Sequence, residues 1–177
     1  WLRVHKQIIF HATDATEETD IRNLFGKDVT IKQITNFPPQ QKALQIINKQ
    51  SGAIKIIFVG RVHPIKNLSF LLTCLQTITA KVQLTIVAAI EDEAYWIKCG
   101  DIINNLTERV TVKLQQDVPH HQIEQLINDH HLFVLPTLGE NFGHAIFEAL
   151  SAGRPVLISD QTPWRNLQEY YAGWDLS

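Results

Sequence analysis

From Ala53 onward, short apolar runs alternate with segments whose apolar residues recur at helical spacing. The runs Ile54–Val59, Val82–Val87, Val110–Val112, Leu132–Leu135 and Val156–Ile158 read as strands, each too short for a helix. Between them, a helix follows Asn67 with Leu68, Leu71, Leu72, Leu75 and Ile78 on its inner face. Two more are expected over Asp92–Leu106 and Pro119–Asn128. A fourth is entered through Gly139 and Gly143 and ended by Gly153, and Pro163 begins a last short one. Repeated strand–helix units of this kind build an α/β fold, a doubly wound parallel sheet covered by helices on both faces.

The first 37 residues follow a separate, smaller pattern. Gln7–Ala12 is an expected strand, Thr13 to Glu18 supplies cap-type residues and first-turn acids for a helix through about Phe25, and Val29–Ile34 is a second strand. Asn36-Phe37-Pro38-Pro39 breaks the pattern, and Gln40 to Gly52 is a polar connector. Two short strands and one helix bury little on their own. The division is therefore 1–37, a connector 38–52, and a main domain 53–177. With Trp1 in place of an initiator methionine, the chain is expected to be part of something longer.

The fourth helix of the main domain carries an unusual edge. Asn141, His144, Glu148 and Ser151 fall on one stripe at helical spacing, while Ile146, Phe147, Ala149 and Leu150 cover the rest. A helix packed on a sheet with one edge in water gives such a pattern. So does a helix whose amino end faces a phosphate, with Glu140 and Glu148 accepting hydrogen bonds from hydroxyl groups on either side. Sheet order bears on the choice. If the strand before this helix lies beside Ile54–Val59, the chain reverses there and a crevice opens outside the carboxyl ends of the strands. Its two walls are then Gly60–Lys66 and Pro136–Gly143. The first wall carries Arg61, able to grip a phosphate bidentately, Lys66, a point charge, and Asn67 as a helix cap. Two cations beside a helix amino end and two carboxylates favour the ligand reading. Lys113 and Leu114, just past the third strand, reach the same edge, where backbone groups can read a base or simply face solvent.

Composition limits the alternatives. Apolar content of 45%, charged content of 19% and a net charge of −2 describe a globular chain with no global attraction for nucleic acid or an anionic membrane, so any phosphate site is local. No run approaches the roughly 20 apolar residues of a membrane span, and no signal peptide opens the chain. Cys74 and Cys99 lack metal-ligand spacing and are expected as reduced core thiols of a cytoplasmic protein. His120-His121 and His130-His131 suggest a metal. Adjacent histidines diverge on helix or strand, however, and no carboxylate or Cys cluster joins them. Neither GxGxxG nor the Walker A pattern occurs.

The residues resemble a family at this point. Glu140 to Glu148 fits the E-x7-E motif of the retaining glycosyltransferases of group 1, or family 4, and Gly60-Arg61 through Lys66-Asn67 is similar to their G-R-x-x-x-x-K-N loop. Ala12-Thr13, Glu17-Glu18, Phe25-Gly26 and Ile34-Thr35-Asn36 resemble the segment before that family's interdomain linker. The resemblance implies a GT-B enzyme, two Rossmann-like domains with the active site between them. This chain would be the C-terminal, donor-binding domain plus the tail of the N-terminal one. By the same implication Arg61 and Lys66 bind the diphosphate, Glu148 the ribose hydroxyls and Glu140 the transferred sugar. Backbone groups of Asn141, Phe142 and Gly143 lie near the sugar and phosphate, and Lys113-Leu114 near the base. The chain departs from the family at Ala88-Ala89-Ile90-Glu91, where a glycine-rich turn is common.

The reaction so implied moves a sugar, with retention, from a UDP- or GDP-linked donor to a sugar or glycolipid acceptor, in polysaccharide or glycoconjugate biosynthesis. It needs no cofactor or metal, because the cations serve the diphosphate. Arg61, Lys66 and Glu140 are the expected catalytic set, with Glu140 positioning the sugar rather than attacking it. The expected setting is the cytoplasm, with peripheral association at the inner membrane face left to the missing domain. The isolated piece is expected to bind nucleotide without transferring sugar. Two rivals remain open: a nucleotide-sugar epimerase of the same fold, and a binding module without catalysis.

Overall fold

A computed structural model of the chain describes residues 7–13, 15–34 and 47–177. They fall into two compact units, Trp1–Gln40 and Gln41–Ser177. Asp14, Thr35, Asn36, the proline break and most of the expected connector lie outside the described residues.

The first unit is the expected strand, helix and strand: β1 (Ile9–Ala12), α1 (Ala15–Phe25) and β2 (Thr30–Gln33), with the two strands parallel. At the start of α1 the Glu17 carboxylate accepts from both the Thr13 N–H and its hydroxyl at 2.7 Å. The amide bond, then the hydroxyl, hold its pKa below the usual carboxylate value. Gly26, at φ 93°, closes the helix by donating to the Arg22 carbonyl. Phe10 and Phe25 pack at 4.8 Å between ring centroids, yet no described residue of α1 is buried.

The second unit contains β3 (Ala53–Val59), α2 (Leu68–Leu75), β4 (Lys81–Val87), α3 (Glu93–Asn104), β5 (Val110–Gln115), α4 (His120–Asn128), β6 (Leu132–Leu135), α5 (His144–Ser151), β7 (Val156–Ser159) and β8 (Gly173–Leu176). Its sheet is parallel throughout, in the order β5-β4-β3-β6-β7-β8. The expected neighbours β3 and β6 are therefore adjacent, and the chain reverses between them. Helices α2 and α3 pack together, as do α4 and α5. Right-handed crossovers send each pair to its own face of the sheet. Ile57, Phe58, Ile86 and Phe133 are fully buried at the centre of the sheet, and Leu68, Leu71, Leu72 and Leu75 of α2 are buried against one of its faces.

Four expectations are corrected. The third strand of this sheet, β5, runs on to Gln115, so Lys113 and Leu114 pair with Thr85 and Ile86 inside the ladder. The sequence from Pro163 forms turns, and the chain adds β8 instead of a last helix. Helix α5 begins only at His144, which leaves Asn141 in a bend and off the helical stripe. Cys74 is exposed; only Cys99 is a core thiol, and burial pushes its pKa up.

Candidate functional site

The two walls of the crevice are joined through one carbonyl. Ile65, in the 3-10 turn Pro64–Lys66, accepts from the Leu138 N–H at 2.7 Å and from the Thr137 hydroxyl at 3.0 Å. Thr137 is fully buried, and its own carbonyl accepts from the Ser159 hydroxyl at the end of β7. The β3–α2 and β6–α5 connections are thus a single braced structure. The 3-10 turn is capped by His63, whose Nδ1 accepts from the Ile65 N–H. The sequence predicts Asn67 as the side-chain cap of α2. It stands at the N-cap position with φ 55°, and its side chain makes no capping bond.

This bracing brings Lys66 and Glu140 together. The ammonium lies 2.5 Å from Glu140 Oε2, and the side chains are only 12% and 19% exposed. Glu140 is followed by the turn that starts α5. Gly143 has φ 77°, and a Cβ there would stand 2.8 Å from Ile146 Cδ1 and 3.1 Å from Glu140 Cγ. Glycine is what lets the chain turn while Glu140 tucks against it. The first α5 bond runs from the Phe147 N–H to the Gly143 carbonyl, and no side chain caps the helix. The N–H groups of its first turn therefore face outward with the positive end of the helix dipole.

Phe142 is held from behind. Its carbonyl accepts from the Trp164 indole at 2.6 Å, and its ring packs against Phe147, Trp164 and His144. That carbonyl is thereby engaged within the protein. Asn141 is exposed. Glu148, one-fifth exposed on α5, accepts from His120 Nε2 at the start of α4, 3.0 Å away.

Arg61 takes a partner that the sequence reading left aside. Its NH1 donates to both oxygens of Glu91, at 2.7 and 2.8 Å. The contact is built into the backbone: Val62 pairs with Ile90, its N–H donates to the Ala89 carbonyl, and its own carbonyl accepts from the N–H groups of Glu91 and Asp92. At the ends of β3, β4 and β5 lies a cavity of about 240 Å³ lined by Gly60, Ala88, Ala89, Gln115, Asp117 and Val118. Gln115 and Asp117 thus stand at that edge, one residue and more beyond Lys113 and Leu114.

Of the histidine pairs, His130 is a satisfied core residue. Its Nδ1 bonds the Leu126 carbonyl at 2.6 Å and its Nε2 the Thr85 hydroxyl at 2.8 Å. Burial lowers its pKa, opposed by the bond to Leu126. His131 Nδ1 accepts from the Lys55 N–H. Among the described residues no three or more His, Cys, Asp or Glu side chains gather for a metal ion, and no helix is long and apolar enough to cross a membrane.

Glu91, His120 and Trp164 are the residues sequence reasoning missed. Sheet order alone places the β4–α3 loop beside Arg61, a usable signal for Glu91. From the sequence His120 suggests only a metal ligand, and Trp164 falls within the short helix expected from Pro163.

Residues 53–172 match the family described as Glycosyl transferases group 1. Among curated proteins no match is found. The fold is similar to that of HepE from Anabaena, solved in complex with UDP and glucose (TM-score 0.72, 19% identity, 91% of this chain and 47% of that one). It is also similar to sucrose-phosphate synthase from Thermosynechococcus elongatus (TM-score 0.71, 21% identity, 91% and 42%). A lipopolysaccharide outer core galactosyltransferase, WaaB, in its apo form is a third (TM-score 0.62, 21% identity, 87% and 43%). The chain spans less than half the length of each of these structures.

Proposed function

We propose that this chain, which belongs to the group 1 glycosyl transferases, is the donor-binding half of an enzyme that transfers a sugar with retention. In this reading the main domain, 53–177, holds a nucleoside diphosphate sugar. Residues 1–37 are the tail of an N-terminal domain that supplies the acceptor site. The observation that carries it is the Lys66–Glu140 contact at the amino end of α5, which places a cation, a carboxylate and free helix N–H groups in one half-buried spot. A diphosphate needs the first and third of these, and a sugar hydroxyl needs the second.

The roles follow from position. Lys66, the first turn of α5 and Arg61 stabilise the charge that accumulates on the leaving diphosphate, worth several kcal/mol at preorganised sites. Glu140 gives up Lys66 to the phosphate and accepts from the sugar. Glu148 accepts from the ribose diol, and Asn141 and the Gly143 N–H lie along the diphosphate. The base enters over the end of β5, near Lys113-Leu114 and the neighbouring Gln115. UDP is the favoured nucleotide, since HepE was solved with UDP and glucose. The transferred group is a hexose and the acceptor a sugar or glycolipid. No cofactor takes part, and the enzyme works on the cytoplasmic side in polysaccharide or glycoconjugate synthesis, without nucleic acid.

The test has two stages. A thermal-shift series with UDP, GDP and ADP on this chain should show stabilisation by UDP above the others; no response to any of the three sinks the reading. The protein carrying both halves, given labelled UDP-hexoses and an acceptor, should then form a glycoside of unchanged anomeric configuration. Epimerised donor formed without acceptor contradicts transfer.

A further inference from the structure

We infer that Glu91 is a built-in counter-charge that sets donor affinity by competing with the diphosphate for Arg61. The inference rests on the donor-site reading above and adds a residue to it. Both Glu91 oxygens lie on one guanidinium nitrogen, at 2.7 and 2.8 Å. Such a contact between exposed side chains is ordinarily incidental, but two features fix this one in place.

The backbone comes first. Gly60 donates to the Val87 carbonyl and Val62 to that of Ala89, while Glu91 and Asp92 donate back to Val62. These bonds zip the loop after β3 to the loop after β4, with the Val62 side chain fully buried beneath. The helix behind Glu91 is anchored as well. Asp92 caps α3 by accepting from the Tyr95 N–H, and the Tyr95 hydroxyl bonds both the N–H and the hydroxyl of Ser69 on α2.

The consequence is an exchange. With no ligand bound, the Arg61 charge is already matched, so a diphosphate gains from Arg61 only what exceeds the displaced carboxylate. Removing the Glu91 charge should therefore tighten binding, where loss of a supporting residue would weaken it. Because both side chains are about half exposed, 58% and 44%, the gain is modest, roughly two- to fivefold.

Calorimetric titration of UDP into the wild-type chain, Glu91→Gln, Arg61→Ala and the double variant tests this. The inference predicts that Glu91→Gln lowers Kd two- to fivefold, and that the same change in the Arg61→Ala background has no effect. Unchanged or weaker binding by Glu91→Gln overturns it. So does an equal gain without Arg61, which would mean simple repulsion between carboxylate and phosphate. If Arg61→Ala itself leaves UDP binding untouched, the place of Arg61 in the donor site fails. A loss with Arg61→Ala and no gain with Glu91→Gln removes only the role given to Glu91.

Discussion

The Lys66 ammonium and the Glu140 carboxylate meet at 2.5 Å across 74 residues of chain, and both are mostly shielded from water. The pair joins the first strand–helix turn of the sheet to the turn before α5. It also sets a division of labour that mutation can separate. Glu140→Gln frees Lys66 and keeps the shape of the side chain. The chain should bind UDP at least as tightly as before, while transfer by the two-domain protein falls on the order of a hundredfold. Parallel calorimetry and rate measurements check this. Loss of UDP affinity with transfer intact would reverse the assignment.

Gly143 permits that arrangement. An alanine there must hold φ 77° and place its Cβ 2.8 Å from Ile146, itself fully buried. Gly143→Ala should cost about 1–3 kcal/mol in urea unfolding and weaken UDP binding, because the Glu140 turn and the first turn of α5 move together. An unchanged unfolding midpoint contradicts the close approach.

Gly173 makes a sterner demand. It has φ 141°, and a Cβ would fall 1.9 Å from the Val156 carbonyl oxygen, inside the β7–β8 pairing. Gly173→Ala should detach β8 and lower the melting temperature more than Gly143→Ala does, with greater proteolysis after Ser159. Equal stability of the two variants would place the strain elsewhere.

Acid should weaken the fold through His130. Its pKa is lowered by burial in the folded chain, so the unfolded chain binds the proton more readily. The stability it contributes is complete above the unfolded value of about 6.5 and is lost as pH falls below that. Thermal midpoints should drop between pH 7.5 and 5.5. His130→Gln should be less stable at pH 7.5, by about 1–3 kcal/mol for a disturbed buried hydrogen bond, and should show a shallower decline. A parallel decline in both proteins rules out His130 as the source.

Much of this was legible in the chain because alternation of strand and helix leaves few sheet orders, and the placement of β6 beside β3 brings Lys66 to Glu140. What escaped depends on backbone detail that periodicity does not carry. The stripe through Asn141 assumed a helix that Gly143, in the left-handed region, starts only at His144. Lys113 and Leu114 continue the alternation of β5, so nothing in their types marks the strand's end. Pro163 carries a common helix-start signal, but Trp164 is drawn aside by its bond to Phe142 and the chain turns instead. Glu91 reads as one acid among many until the loop holding it is seen paired with Val62.

Of all these measurements, UDP affinity in the wild-type chain against Lys66→Ala is the most direct. A saturable calorimetric isotherm is expected for the wild type, weakened in the variant by about 2 kcal/mol, roughly thirtyfold. Equal affinities in the two proteins, with both folded, would contradict a diphosphate site between the β3–α2 turn and the amino end of α5.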